Sequence, residues 1–426
     1  MILDVSNQSN LNKEERKIPE IEKKNISQAK KESIPVTLLQ VRKALINAYA
    51  KGYEISFDKF REEIMYKSSS SDGWQRFEDN DYTKLRMSLE KEGLKNVGKE
   101  MIRDMVLYIA KMKQHDSAMI WLTDEVPQWD GINRIDTFLS KYFGAEDSLY
   151  TQSCSRYLWS SLAGRILNPG VKADMVIVVI GDQGCGKSTG VAAICPDLEF
   201  FTEIDFNDKD ADQARKMLGR LVGEISELKG LRTKDEESIK ALVTRTHDEW
   251  IKKFREFPSI YARRITFIGT TNENNFLSDI TGNRRWLPIN VKNVDVESIK
   301  VDRLQLYAEA RQKYLLNGIE FKEAEELAKD VIKNHLIVDP WFEVIKEWID
   351  GKSPGISPTD PFRISTREVL KYALGFEDQR IDRRSEMKVT GVLKILGYVK
   401  RRERTGNFFI LEKDVDTVST VDTSFN

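Results

Sequence analysis

The sequence predicts an α/β protein built on a largely parallel sheet with a phosphate-binding loop. Three observations predict it. The stretch GDQGCGKST at 181–189 follows the apolar run MVIVVI. Strand-like and helix-like segments alternate across 171–295, the mark of a parallel sheet covered by helices. A helix–helix–hairpin order then fills 340–413, the order of a winged helix.

Each part follows in chain order. Residues 1–33 are rich in Lys, Glu, Asn and Ser and predict a flexible polar tail. From 36 to 150 a mainly helical domain is expected. Leu38, Val41, Leu45 and Ala48 recur at helical spacing, as do Met101, Met105 and Tyr108. A nucleotide-binding domain is assigned to 151–335. Its strands are read at 174–180, 198–204, 220–226 and 263–272, and its helices at 211–219 and 234–245. In 340–413, ISTREVLKYALG and RSEMKVTGVLKILG read as helices, and two strands flank Thr405-Gly406-Asn407. A second flexible tail is expected at 414–426.

The 426 residues are 40% apolar and 32% charged, a soluble globular composition. No apolar run approaches the roughly 18 residues of a membrane span. The N-terminus MILDVSNQSNLNKEERK has no signal-peptide design. Cys154, Cys185 and Cys195 make no disulfide framework, so a reducing cytoplasm is expected. His115, His247 and His335 are scattered and predict no zinc site. The net charge of −1 excludes a polycation, so nucleic-acid binding would need local patches.

The loop Gly181, Asp182, Gln183, Gly184, Cys185, Gly186, Lys187, Ser188, Thr189 fits the phosphate-loop pattern in full. Its glycines let backbone N–H groups curl round phosphates, and the helix that follows adds a favourable dipole. Lys187 is expected to reach the β and γ oxygens of ATP, and Ser188 to ligate Mg²⁺. In RLVGEISEL, Glu224 and Glu227 are the candidate acids. Hydrolysis needs one acid near the metal and one for the attacking water. Residues three apart in a strand point to opposite faces. Glu227, at the strand's end, reads as the catalytic base. Glu224 reads either as the metal-side acid or as one half of a structural ion pair. Asn272 ends the fourth strand and is placed to hold water or sense the γ-phosphate. Arg284 and Arg285 are candidate arginine fingers, a role often filled by a neighbouring subunit.

Taken together, GDQGCGKST, VGEISELKG, ALVTRTHDEW, FIGTTNE and TGNRRWLPI, with QWDGINRID upstream, resemble the virulence-associated protein E family. The likeness covers roughly 85–300. It implies an AAA+ core of the superfamily 3 helicase type, from phage and genomic-island replication. It also implies an ATP-driven motor on DNA in the form of a hexameric ring. It assigns Lys187 and Ser188 to the nucleotide and Glu224 and Glu227 to metal and water. Asn272 becomes the sensor, and Arg284 or Arg285 the finger. Many relatives carry a primase. Here 1–33 is too short and polar for one, so priming is expected from a separate protein.

Two patches are candidate DNA contacts. In HDEWIKKFREFPSIYARR (247–264), Lys252, Lys253 and Arg255 interleave with Trp250 and Phe254, a mix suited to single strands. Related motors carry a pore hairpin here. Arg263 and Arg264 are read as contacts to nucleotide or a neighbouring subunit. From Arg380 to Arg404, nine Lys and Arg oppose three acids. Lys400, Arg401, Arg402 and Arg404 fall on the expected wing, where phosphate contacts are salt-sensitive and weakly selective.

A ring helicase is the leading expectation. A DNA-binding initiator or loader, with ATP setting its assembly, uses the same nucleotide residues. A small-molecule kinase leaves the arginine pair and basic wing unexplained.

Overall fold

The computed structural model describes residues 36–50, 54–68, 73–205, 210–226, 233–251, 257–277, 283–335, 340–351, 358, 360–403 and 406–411. Both expected tails, 1–33 and 414–426, lie outside them. Contacts divide the chain into two compact units. One takes in Met1–Phe57 and Glu63–His115, the other Asp58–Glu62 and Asp116–Asn426.

The first unit was expected to be mainly helical, and it also holds a sheet. Strands β1 (Glu54–Asp58), β2 (Glu63–Lys67), β3 (Gln75–Arg76) and β4 (Gln114–His115) pair in the order β3-β2-β1-β4. Ile55 and Phe57 alternate along EISFD and are buried, a strand period set among charged residues. Helices Leu38–Ala50, Asp79–Lys91 and Lys99–Met112 supply Val41, Leu45, Leu85, Leu89, Ile102 and Val106 to the same core.

The contact boundary falls at His115, ahead of the 150 drawn from sequence. Residues 116–150 join the second unit because Leu122, Val126, Ile135, Phe138, Leu139, Tyr142 and Phe143 are buried in its core. The QWDGINRID stretch is a clasp in this region. Arg134 grips Asp130 through two 2.8 Å bonds. The Arg134 and Ile135 backbone N–H groups donate to Glu309 at 2.8 and 3.1 Å.

The second unit is built on β5 (Val176–Ile180), β6 (Phe201–Glu203), β7 (Val222–Ile225), β10 (Thr266–Thr271) and β11 (Trp286–Asn290). Their order is β11-β5-β10-β7-β6, and every pairing is parallel. All five residues of β5 are buried, as a central strand covered on both faces requires. Behind it runs the helix Leu149–Leu167, capped by Ser148, whose hydroxyl accepts from the Thr151 N–H. The helix Val296–Asn317 is capped likewise by Asp295. Strands β8 (His247–Trp250) and β9 (Ser259–Ala262) form a separate antiparallel hairpin, with His247 opposite Ala262.

The C-terminal segment has its own core of Ile345, Trp348, Ile364, Leu370, Val389, Leu393 and Phe409. Helix Trp341–Ile349 comes first, then β12 (Arg363–Ile364), the turns Thr366–Glu368 and Val369–Ala373, and helix Arg383–Ile395. Strands β13 (Tyr398–Glu403) and β14 (Gly406–Leu411) close a sheet in the order β12-β14-β13. Reciprocal caps start both helical pieces: Ser365 with Glu368, and Asp382 with Ser385. Among the described residues, no helix is long and apolar enough to cross a membrane.

Candidate nucleotide site

The loop 181–186 leaves β5 at its carboxyl end and turns into the helix Lys187–Ala193. Gly184 and Gly186 take φ of +85° and +91°, a region costly for any side chain. That curl brings Lys187 back over its own loop. Its Nζ donates to the carbonyls of Gly181 and Asp182, each at 2.8 Å, and to Asn272 Oδ1 at 2.7 Å. Lys187 is buried, and these three acceptors are all neutral. A buried ammonium held this way has unspent charge for an anion.

The acid comes from β7. Glu224 is 1% exposed. Its Oε1 accepts from Ser188 Oγ and Thr270 Oγ1, both at 2.6 Å. Its Oε2 is buried with no partner. A buried carboxylate oxygen without a donor is costly, and a cation or its water would satisfy it. The Ser188 hydroxyl beside Glu224 is a hard oxygen set of the kind Mg²⁺ takes while keeping most of its water. No group of three or more His, Cys, Asp or Glu among the described residues forms a closed metal cage.

Register explains why these groups meet. Thr271 of β10 pairs with Ile180 of β5, and Ile268 with Glu224 of β7. Loop, acid and hydroxyls therefore sit at the carboxyl ends of three adjacent strands, where open α/β sheets bind ligands. They border a cleft of about 930 Å³, lined by Gln183, Gly184, Gly186, Lys187, Ser188 and Thr189 from the loop and helix, with Glu203, Ser226, Thr270, Thr271, Asn272 and Glu273 opposite. That is room for a nucleotide.

The chain matches the model of the virulence-associated protein E-like domain over residues 122–336. It belongs to that family. No curated protein matches. Among solved structures, an A-form apo structure of the NrS-1 C-terminal region is 12% identical, with a TM-score of 0.49 over 87% of this chain and 98% of that one. A further apo structure of that region, 305–718, is 13% identical at 0.46, over 88% and 98%.

Within this family member, the expected site residues divide into four sets. Gly181 through Thr189, Glu224 and Asn272 come together round the cleft. Arg284 and Arg285 do not. They precede β11, whose Trp286 pairs with Val176, the first residue of β5. The loop leaves β5 at the other end. Arg284 lies 3.9 Å from Glu325, and Arg285 3.8 Å from Asp174. Both line a separate cavity of about 160 Å³. The third set, Glu227, Lys252, Lys253, Arg255 and Arg404, lies outside the described residues. Lys400, Arg401 and Arg402 are exposed along β13.

Two residues expected to contact nucleotide or a neighbouring subunit lie away from the cleft. Arg263 is buried and binds Asp248 through two bonds of 2.7 and 2.6 Å, and it also donates to the Leu242 carbonyl. Arg264 pairs with Asp116. Neither lines the cleft. Arg263 ties the base of the β8–β9 hairpin to the helix Thr233–Thr244, and Arg264 ties the start of the β10 segment to the Asp116 cap, because a buried guanidinium needs a carboxylate. Arg165 lies behind them, donating to the carbonyls of Arg263 and Ala173 at 3.3 and 3.2 Å. Burial pushes its pKa down to about 10.

Thr270 was missed. The hydroxyl run Thr270-Thr271 at the strand end was its only signal. The cysteines are free, as expected. Burial pushes the Cys154 and Cys195 thiols up to about 12.

Proposed function

We propose that the chain is an ATP-driven, Mg²⁺-dependent motor on DNA, a ring-forming AAA+ helicase or translocase for phage or genomic-island replication. The observation that carries this is the joint placement of Lys187 with Asn272 and of Ser188 with Glu224 and Thr270 at one cleft. An inert fold would have little reason to bury a lysine among neutral oxygens and a glutamate with one oxygen unpartnered. The sheet order puts the loop strand inside, with the sensor and acid strands next in line, as an AAA+ core requires.

Lys187 would leave its loop carbonyls for the β and γ oxygens, a stronger, charged partner. Ser188 and Glu224 would hold Mg²⁺, which when bound neutralises charge on the phosphate oxygens. Asn272 would orient water or contact the γ-phosphate, and Glu227 would take the water's proton. Among the described residues no arginine lines the cleft. The finger would then come from the next subunit in a head-to-tail ring, which supports an oligomer over a monomer.

The β8–β9 hairpin supports a pore element, with Lys252, Lys253 and Arg255 in the sequence between its two strands. The helix, strand, helices and strand pair of the C-terminal segment support a winged helix. Lys400, Arg401 and Arg402 on β13, with Arg404, would meet DNA phosphates there. The partners in this reading are single-stranded or forked DNA, further copies of the chain and a separate primase.

The test is ATP turnover with and without single-stranded DNA across a salt series. Turnover that DNA stimulates, that falls with salt and that vanishes in Lys187→Ala supports the motor. Weak turnover indifferent to DNA, with ATP-dependent assembly, would favour the initiator or loader. No turnover under any condition contradicts both.

A further inference from the structure

Glu203 is the last residue of β6, and nothing above gives it a role. It registers with Glu224 across a parallel pair of strands. Registered neighbours project from the same face of a sheet, with strands about 4.8 Å apart. Glu203 lines the same cleft as Ser188 and Thr270, the two hydroxyls that bind Glu224. Among the described residues no side chain pairs with the Glu203 carboxylate. The buried Lys187 ammonium bonds Asn272 and two carbonyls, not Glu203.

An exposed glutamate on β6 is therefore in register with a buried one on β7 whose Oε2 is unsatisfied. A divalent cation at the cleft would draw on carboxylates from both strands. Mg²⁺ keeps several waters, and those waters need acceptors beyond the ligands that touch the metal. We propose that Glu203 is a positioning residue of the divalent-cation site. It accepts from cation-bound water on the side of the site away from Ser188, while Glu224 and Ser188 hold the near side. This rests on the Mg²⁺–nucleotide reading above. It adds a third acid to that site, on a strand the sequence motifs do not mark.

The experiment is binding of a non-hydrolysable ATP analogue to the full chain, in EDTA and across a Mg²⁺ series. Mn²⁺ occupancy of the same complex is followed by electron paramagnetic resonance. Glu203→Gln, which keeps size and removes charge, is compared with Glu203→Asp and with wild type. The inference expects analogue affinity in EDTA not to weaken in Glu203→Gln, since a carboxylate only repels the metal-free polyphosphate. The Mg²⁺ concentration for half-maximal tightening should rise about 10-fold, as for other outer partners of metal sites. Glu203→Asp should fall between. A Mg²⁺ midpoint equal to wild type in Glu203→Gln overturns the role of Glu203. So does equal loss of affinity with and without Mg²⁺, which would make it a packing residue. If wild type tightens on the analogue with no dependence on Mg²⁺, the parent reading fails instead, and this inference with it.

Discussion

Lys187 Nζ and Asn272 Oδ1 lie 2.7 Å apart, joining the end of β10 to the phosphate loop that follows β5. The amide thus holds the lysine that the nucleotide would claim. Asn272→Ala should leave nucleotide affinity within a few-fold of wild type. It should lower turnover about 100-fold, as loss of one positioned polar group does. Lys187→Ala should lose binding itself. Equilibrium binding measured beside turnover separates the two.

Thr270 donates to a buried carboxylate, and the lost bond cannot be replaced by water. Thr270→Val keeps the shape and removes the hydroxyl. It should cost about 2 kcal/mol of stability, the range for hydrogen bonds to charged groups. Urea unfolding of the second unit's transition checks this. Glu224→Gln should cost less, since a neutral amide is easier to bury than a charged oxygen without a partner.

Arg263 and Asp248 are assigned to architecture, not to nucleotide. Asp248→Asn leaves the Arg263 guanidinium buried without its counter-charge and should destabilise by about 3–5 kcal/mol. Arg263→Met with Asp248→Leu should recover much of that. A double-mutant cycle by urea unfolding reads the coupling. Additive losses would contradict a direct pair.

Arg284 and Arg285 lie at the opposite end of β5 from the loop. Arg284→Ala and Lys187→Ala should each be inactive alone. Mixed in equal amounts, they should recover turnover at about a quarter of sites, where an intact loop meets an intact neighbouring arginine. Failure of every mixture would argue against a finger supplied in trans. The same mixture made with Arg285→Ala shows which arginine serves.

His335 is buried, and its carbonyl accepts from the backbone N–H groups of Phe276 and Leu277, just beyond Asn272. Burial holds its imidazole below the usual histidine range, against the pull of the Asn274 carbonyl. The folded state therefore prefers the neutral ring. That contribution is fully present above about pH 6.5 and is lost as pH falls from there toward the folded pKa. Thermal unfolding from about pH 7.5 to 5.5 should fall more steeply in wild type than in His335→Gln. Parallel curves would contradict this.

Where the sequence carried strong local chemistry, the structure follows it. The loop is legible because glycines, lysine and serine sit between a fully apolar strand and a helix. The C-terminal helix, helix and strand pair are legible from turn residues and period, while the hairpin at 247–262 was expected only from the family resemblance. Thr270 and Glu203 were not, because their meaning lies in register between strands far apart in sequence. The small sheet of the first unit was hidden by its charged setting, EISFDKFREEIMYK. Arg263 reads from sequence as a contact to nucleotide or a neighbouring subunit, because its buried partner Asp248 lies on a different strand, β8.

The measurement that bears most directly on the central claim is ATP-dependent strand separation on forked DNA, with hydrolysis followed in the same tube. The account predicts unwinding by wild type and neither unwinding nor hydrolysis by Lys187→Ala. Hydrolysis without unwinding, on either fork polarity and at concentrations that form rings, would contradict the helicase and leave the nucleotide site standing.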